Sequence, residues 1–192
     1  MKKRKINIFY ILGVVLIAAA VGLYVTRTAA ISEAEQKTSE IAEQIENLLP
    51  TRTAGAAGEY FENGMPAYSI DGTDYVGLLQ VPNLGIERPI LSKWSSKGVV
   101  ICPSKYYGSV YTGTMVIGGS THKGQMDFLS QLDLGYKVVV TDMLGNEFSY
   151  EIKRIDRAHD VNEELLISEE YLLTLFTYQR SEKKYIVVRC DL

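Results

Sequence analysis

The sequence predicts a mainly β domain, a compact antiparallel-rich barrel or sandwich, behind a transmembrane helix and a helical stalk. Three observations predict it. Between Tyr68 and Leu192, short apolar runs alternate with turn signals and leave room for little helix. Between Ile6 and Thr26, 21 residues pass without a charge. Between Ile31 and Leu49, apolar residues recur at roughly helical spacing.

The N-terminal elements come first. Lys2–Lys5 reads "KKRK" and makes a cationic tail at 1–5. The uncharged stretch 6–26 is long enough to cross a hydrocarbon core as a helix. Basic residues before it place the N-terminus in the cytoplasm and the rest outside the cell. A cleaved signal peptide is the rival reading, with "TAA" at Thr28–Ala30 as the cleavage candidate. Such peptides carry apolar cores of about 7–15 residues, shorter than this one. Segment 27–67 divides in two. Ile31, Ala34, Ile41, Ile45, Leu48 and Leu49 stripe a stalk helix that Pro50 ends. Thr51–Ala67 is rich in Gly and Ala, lacks periodicity and reads as a flexible tether.

The outer domain is expected at 68–192. "YVGLLQVP" alternates and stops at Pro82, and "GIERPIL" follows a turn at Asn83–Gly85. "TGTMVIGGS", "YKVVVTD", "EFSYEIKRID", "YLLTLFTY" and "KYIVVRC" are further strands. "LGN" at Leu144–Asn146 marks a hairpin. "NEELLISEEYLL" is a short helical stretch at best. Seven or eight strands in this length can bury a real core.

Charge excludes one class of partner. The 20 Lys and Arg, less the four in the tail, leave 16 against 23 Asp and Glu in the outer part. An acidic surface argues against nucleic acid. Two His and two Cys, with no Cys-x-x-Cys, argue against a metal site, and no cofactor is expected. Cys102 and Cys190 read as small core residues; outside a membrane they are also able to bond to each other.

Five segments, in order, carry a resemblance. "YVGLLQVPNLGIERPIL" resembles "YIGTLEIPKLGIKLPVL". "MVIGGST" resembles "VIAGHN". "FLSQLDLGYKVVVTDMLGNEFSYEI" resembles "F..L..L..GD.V..TD..G....Y.V". "LTLFTY" resembles "LTLxTC", and "YIVVRCDL" resembles "RLVVRC.L". These are segments of the sortases, membrane-anchored cysteine transpeptidases of Gram-positive bacteria. The resemblance implies an eight-stranded sortase barrel at the cell surface. It implies work on sorting-signal peptides of the Leu-Pro-x-Thr-Gly type, with a pilin, a surface protein or an intact sortase as partner.

The departures bear on the chemistry. In the family a Cys thiolate attacks the peptide carbonyl, a His moves protons, and an Arg stabilises charge on the oxygen. Carried over residue by residue, the Cys falls on Tyr178, the His on Ser120, and an Arg is retained as Arg189. A phenol titrates near 10 and attacks poorly at neutral pH. Tyr178 is read as a ring packed in the groove with its hydroxyl on Arg189 or a carbonyl; a tyrosine nucleophile is the rival. Serine cannot cycle a proton near pH 7. His122 lies two residues on and shares a face with Ser120 if the chain is extended, which makes it a substitute candidate. His159 reads as a surface histidine, and "DVNEELLISEE" as a solvated acidic face or a mimic of a calcium loop. The reading is a degenerate sortase that binds without catalysing. An active enzyme with relocated residues is the alternative, and a silent relic the third.

Overall fold

The computed structural model describes residues 8–49, 64–95, 98 and 101–192, with side chains of the first helix described at 12–26, 33 and 35–49. The tail at 1–5 and most of the tether lie outside these residues. Stalk and apolar stretch form one helix, α1, Ile8–Leu48. Large apolar side chains from Leu12 to Val25 stand exposed along it. Among the described residues no helix is long and apolar enough to cross a membrane. The predicted span 6–26 begins outside those residues.

The β domain holds β1 (Tyr68–Ile70), β2 (Thr73–Val81), β3 (Ile86–Leu91), β4 (Ser104–Ser109) and β5 (Thr114–Gly119). It continues through β6 (Lys137–Asp142), β7 (Glu147–Ala158), β8 (Leu173–Gln179) and β9 (Lys184–Asp191), with one helical turn, α2 (Glu163–Leu166), between β7 and β8. Strands run β2-β3-β4-β5-β8-β9-β7-β6, and β6 pairs back to β2, closing an eight-stranded barrel. Pairs β3–β4 and β5–β8 are parallel and the rest antiparallel. Closure leaves no free edge on the ring. Inside, Leu79, Ile90, Ile117, Val140, Ile152, Leu175 and Val188 make one buried cluster.

All seven predicted strands are present. Two more have weak sequence signals. β1 is three residues long and turns into β2 through Asp71 and Gly72, both at positive φ, the two-residue hairpin geometry. β4, "SKYYGS", has no apolar alternation; pairing to β5 through a bulge between Lys105 and Tyr107 makes it a strand. The seam depends on Gly77. A Cβ there would sit 2.0 Å from the Thr141 carbonyl oxygen, and its φ is +150°.

The stalk does not stand apart from the barrel. Ala42 and Ile45 bury against Tyr75, Leu78, Leu91 and Cys102. Higher up, Glu35 pairs with Lys123 at 3.3 Å, in the loop after β5. Ile41, Ala42, Ile45 and Leu49 thus make a docking face at the end of α1. Met65, inside the predicted tether, is buried in the core, so the folded domain begins before Tyr68.

Candidate functional site

The groove lies on the outer face of β8 and β9. Period-2 alternation sends Leu173, Leu175, Ile186, Val188 and Cys190 inward to the core. Thr174, Phe176 and Tyr178 face outward, opposite Arg189, Val187 and Tyr185 respectively. Val161, Leu166 and Ile167, from the segment between β7 and β8, pack over this face.

Tyr178 is 40% exposed. Its ring packs on Tyr185, centroids 5.0 Å apart and tilted by 58°. Next along the face, Trp94, Tyr106 and Phe176 form an aromatic cluster. Trp94 stacks on Phe176 at 5.4 Å, and Tyr106 meets both edge-on at 5.2 and 5.5 Å. Gly118 makes room for it. A Cβ there would fall 2.4 Å from the Phe176 ring and 2.7 Å from the Trp94 ring. The sortase segments quoted above carry Ala at this place.

A cavity of about 470 Å³ opens beside Tyr178 and Tyr185, and one of about 870 Å³ continues from it past β4. Both are lined by Trp94 and Tyr106, so the two adjoin there. Each volume falls within the size range of small-ligand clefts. No Cys, His or Arg lines either part among the described residues.

The structure does not bring Arg189 to Tyr178. Arg189 stands opposite Thr174, four positions along β8 from Tyr178, or about 13 Å at the usual strand rise. It is buried under the β7–β8 segment. Its guanidinium donates to the Leu166 carbonyl at 3.1 Å, to Thr174 Oγ1 at 2.9 Å and to the Leu165 carbonyl, with the Tyr171 ring 5.8 Å away. Burial lowers its pKa from the usual range, and the Asp156 and Tyr171 charges oppose that shift. The residue opposite Tyr178 is Tyr185. The segment "RLVVRC" carries two arginines, and its first falls on Tyr185 here.

Ser120 and His122 do meet, by a different route from the expected one. β5 ends at Gly119 and the chain turns. His122 Nδ1 contacts Ser120 Oγ, and the His122 backbone N–H donates to that oxygen at 3.2 Å. Thr121 Oγ1 donates to the Tyr178 carbonyl at 3.2 Å, tying this loop to β8. His159 is exposed and distant in the chain from these contacts.

Both cysteines are buried and free, so no disulfide joins them. Cys190 lies inside the barrel and Cys102 beneath α1. Burial pushes each thiol up to about 12, which leaves almost no thiolate near neutrality. Among the described residues no group of His, Cys, Asp and Glu is arranged to hold a metal ion.

Sequence reasoning missed Tyr185, Trp94 and Tyr106. A four-residue turn at 180–183 pairs 179 with 184 and 178 with 185, so placing the turn would have found Tyr185. Trp94 is the chain's sole tryptophan, in a polar loop, and Tyr106 sits in the strand without apolar alternation.

No family model matches the chain, and no curated protein matches it. Solved structures do. Sortase C1 from Streptococcus agalactiae is 19% identical, with a TM-score of 0.54 over 64% of this chain and 69% of that one. A sortase D5 transpeptidase from Clostridium perfringens is 17% identical, with a TM-score of 0.56 over 83% and 98%. Sortase C from Clostridium perfringens, solved with the C-terminal cell wall sorting motif, is 14% identical, with a TM-score of 0.53 over 91% and 97%. At such identities the likeness speaks for the backbone arrangement, and the fold of this chain is that of the sortases.

Proposed function

We propose that this chain is a membrane-anchored, extracellular, sortase-fold protein that binds a sorting-signal peptide and does not catalyse its transfer. The observation that carries the reading is the pair Tyr178–Tyr185. Two phenol rings occupy the cross-strand position where a thiol and a guanidinium would have to converge on one carbonyl. Neither phenol supplies a thiolate or a fixed cation at neutral pH. The rings instead give a broad, half-exposed apolar surface with polar tips, suited to an extended peptide. The relative solved with a sorting motif supports a peptide as the ligand class. Its carrier would be a pilin, another surface protein or a neighbouring intact sortase. The uncharged 6–26 stretch and its basic flank support the anchor.

The test uses the full chain in detergent micelles. An acetylated Leu-Pro-x-Thr-Gly peptide is titrated against Trp94 emission, then incubated with triglycine and examined by mass spectrometry. Saturable binding that Tyr185→Ala weakens, with no ligated product and no adduct, is the expected result. Turnover abolished by Tyr178→Phe would overturn it.

A second reading rests on one contact. Ser120 Oγ against His122 Nδ1 sets a hydroxyl beside a base, as nucleophilic acyl transfer requires. No described group holds the far ring nitrogen, and Ser120 also accepts the His122 backbone N–H, as in a local turn. Binding therefore stands first. Labelling of Ser120 by a fluorophosphonate probe would reverse the order.

A further inference from the structure

The larger part of the groove differs from the aromatic part in charge. Lys93 and Lys105 line it, together with Trp94, Tyr106, Tyr107 and Glu169. Lys105 rises from β4, opposite Ile117 of β5, and is half-buried. Its surroundings withdraw water from the ammonium group and lower its pKa. Neither lysine forms an ion pair with a carboxylate among the described residues, and Glu169 pairs with neither. Lys137, Arg180, Lys183 and Lys184 likewise have no carboxylate partner among the described residues, so what sets Lys105 apart is its half-buried place in a cavity wall. Two unpaired ammonium groups therefore share a concave site in an outer part that carries more acid than base. A partly desolvated cation without a partner is costly, and an incoming carboxylate relieves that cost while it is itself desolvated.

From this we infer that the larger cavity selects for an acidic peptide, taking a carboxylate at Lys105 and Lys93 while the apolar part of the same peptide lies on Tyr178 and Tyr185. The inference rests on the peptide-binding reading above and adds its charge specificity. Trp94 and Tyr106 border both parts, so on this inference one extended peptide reaches from one to the other. The carboxylate comes from an Asp or Glu side chain or from the peptide's C-terminus, and the two sources are separable.

The experiment uses the full chain in detergent micelles and the emission of Trp94, its sole tryptophan. Three acetylated probes are compared: Leu-Pro-Glu-Thr-Gly amide, Leu-Pro-Gln-Thr-Gly amide, and Leu-Pro-Gln-Thr-Gly with a free C-terminus. One of the two anionic probes is expected to bind about fivefold to tenfold tighter than the neutral amide, a preference that weakens with salt. Which one it is identifies the source of the carboxylate. Lys105→Met is expected to erase the preference, and Lys93→Met to reduce it. Lys137→Met, on β6 away from the groove, is expected to retain it. Thermal melts confirm that each variant is folded, and Lys93→Met carries the test if Lys105→Met is not. Equal binding of all three probes overturns this inference and leaves the peptide reading standing. A preference that survives both lysine substitutions also overturns it. Failure of every probe to bind overturns both.

Discussion

At the scale of single residues, the proposed function rests on the outward row of β8 and β9. Tyr178 and Tyr185 pack at a tilt across the strands where, on the reading proposed above, catalysis would need a thiolate and a fixed positive charge. Restoring one group is then insufficient. Tyr178→Cys alone is expected to give no ligated product by mass spectrometry. Tyr178→Cys with Ser120→His and Tyr185→Arg is expected to give a measurable rate. The same triple lacking Tyr185→Arg is expected to be slower by about 100-fold, although Arg189 is still present. Arg189 has a different task. It holds the carbonyls of Leu165 and Leu166 and so fixes the groove's outer wall. Arg189→Leu leaves those carbonyls unpaired, and a loss of about 2 kcal/mol is expected in urea unfolding. Arg189→Lys should recover only part, since an ammonium lacks the planar fork.

Elements tell how much was legible beforehand. Strands with alternating apolar residues, such as "YVGLLQVP" and "YIVVRC", could be read because each buries one face. β4 could not, because its neighbours and not its own pattern make it a strand. The candidate site was legible in part. Positions 178 and 120 follow from local motifs, whereas the residue facing Tyr178 depends on hairpin register. Arg189 would face Tyr178 only if the register were displaced by four residues; the four-residue turn instead sets the half-buried Tyr185 there. The stalk was legible as a helix, but its docking was not, because periodicity marks an apolar face without naming its cover. Ile45 is fully buried at that contact. Ile45→Ala is expected to cost about 2–4 kcal/mol in urea unfolding. At the barrel seam, Gly77→Ala forces a methyl into the Thr141 carbonyl. Failure to accumulate folded protein is the expected outcome, read by circular dichroism and limited proteolysis.

For the whole molecule, alkaline pH is the informative variable. Burial raises Cys102 and Cys190 from 9.0 to about 12, and raises Tyr75 and Tyr150 from 10.0 to about 12. Each group holds its proton more tightly folded than unfolded. Their contribution is complete below pH 9 and is lost as pH climbs toward 12. Stability should therefore fall by about 1.4 kcal/mol per pH unit for each group in its window. Urea unfolding at pH 8, 9, 10 and 11 measures this, and a flat profile would contradict it. Thiol reagents at pH 8 should label neither cysteine until denaturant is added.

One further consequence belongs to α1. At the usual rise its 41 residues extend about 60 Å, and its final turns are bolted to the barrel. A slack leash would let the domain roam a hemisphere and look in every direction. A rod seated in a socket gives it a set altitude and heading, so encounters become a search within a thin layer above the bilayer proposed here. Ligands presented in that layer meet the groove at high effective concentration, and those displayed farther out hardly meet it. Inserting a glycine-serine run after Leu48 would leave this heading intact, whereas one at residue 30 would abolish it.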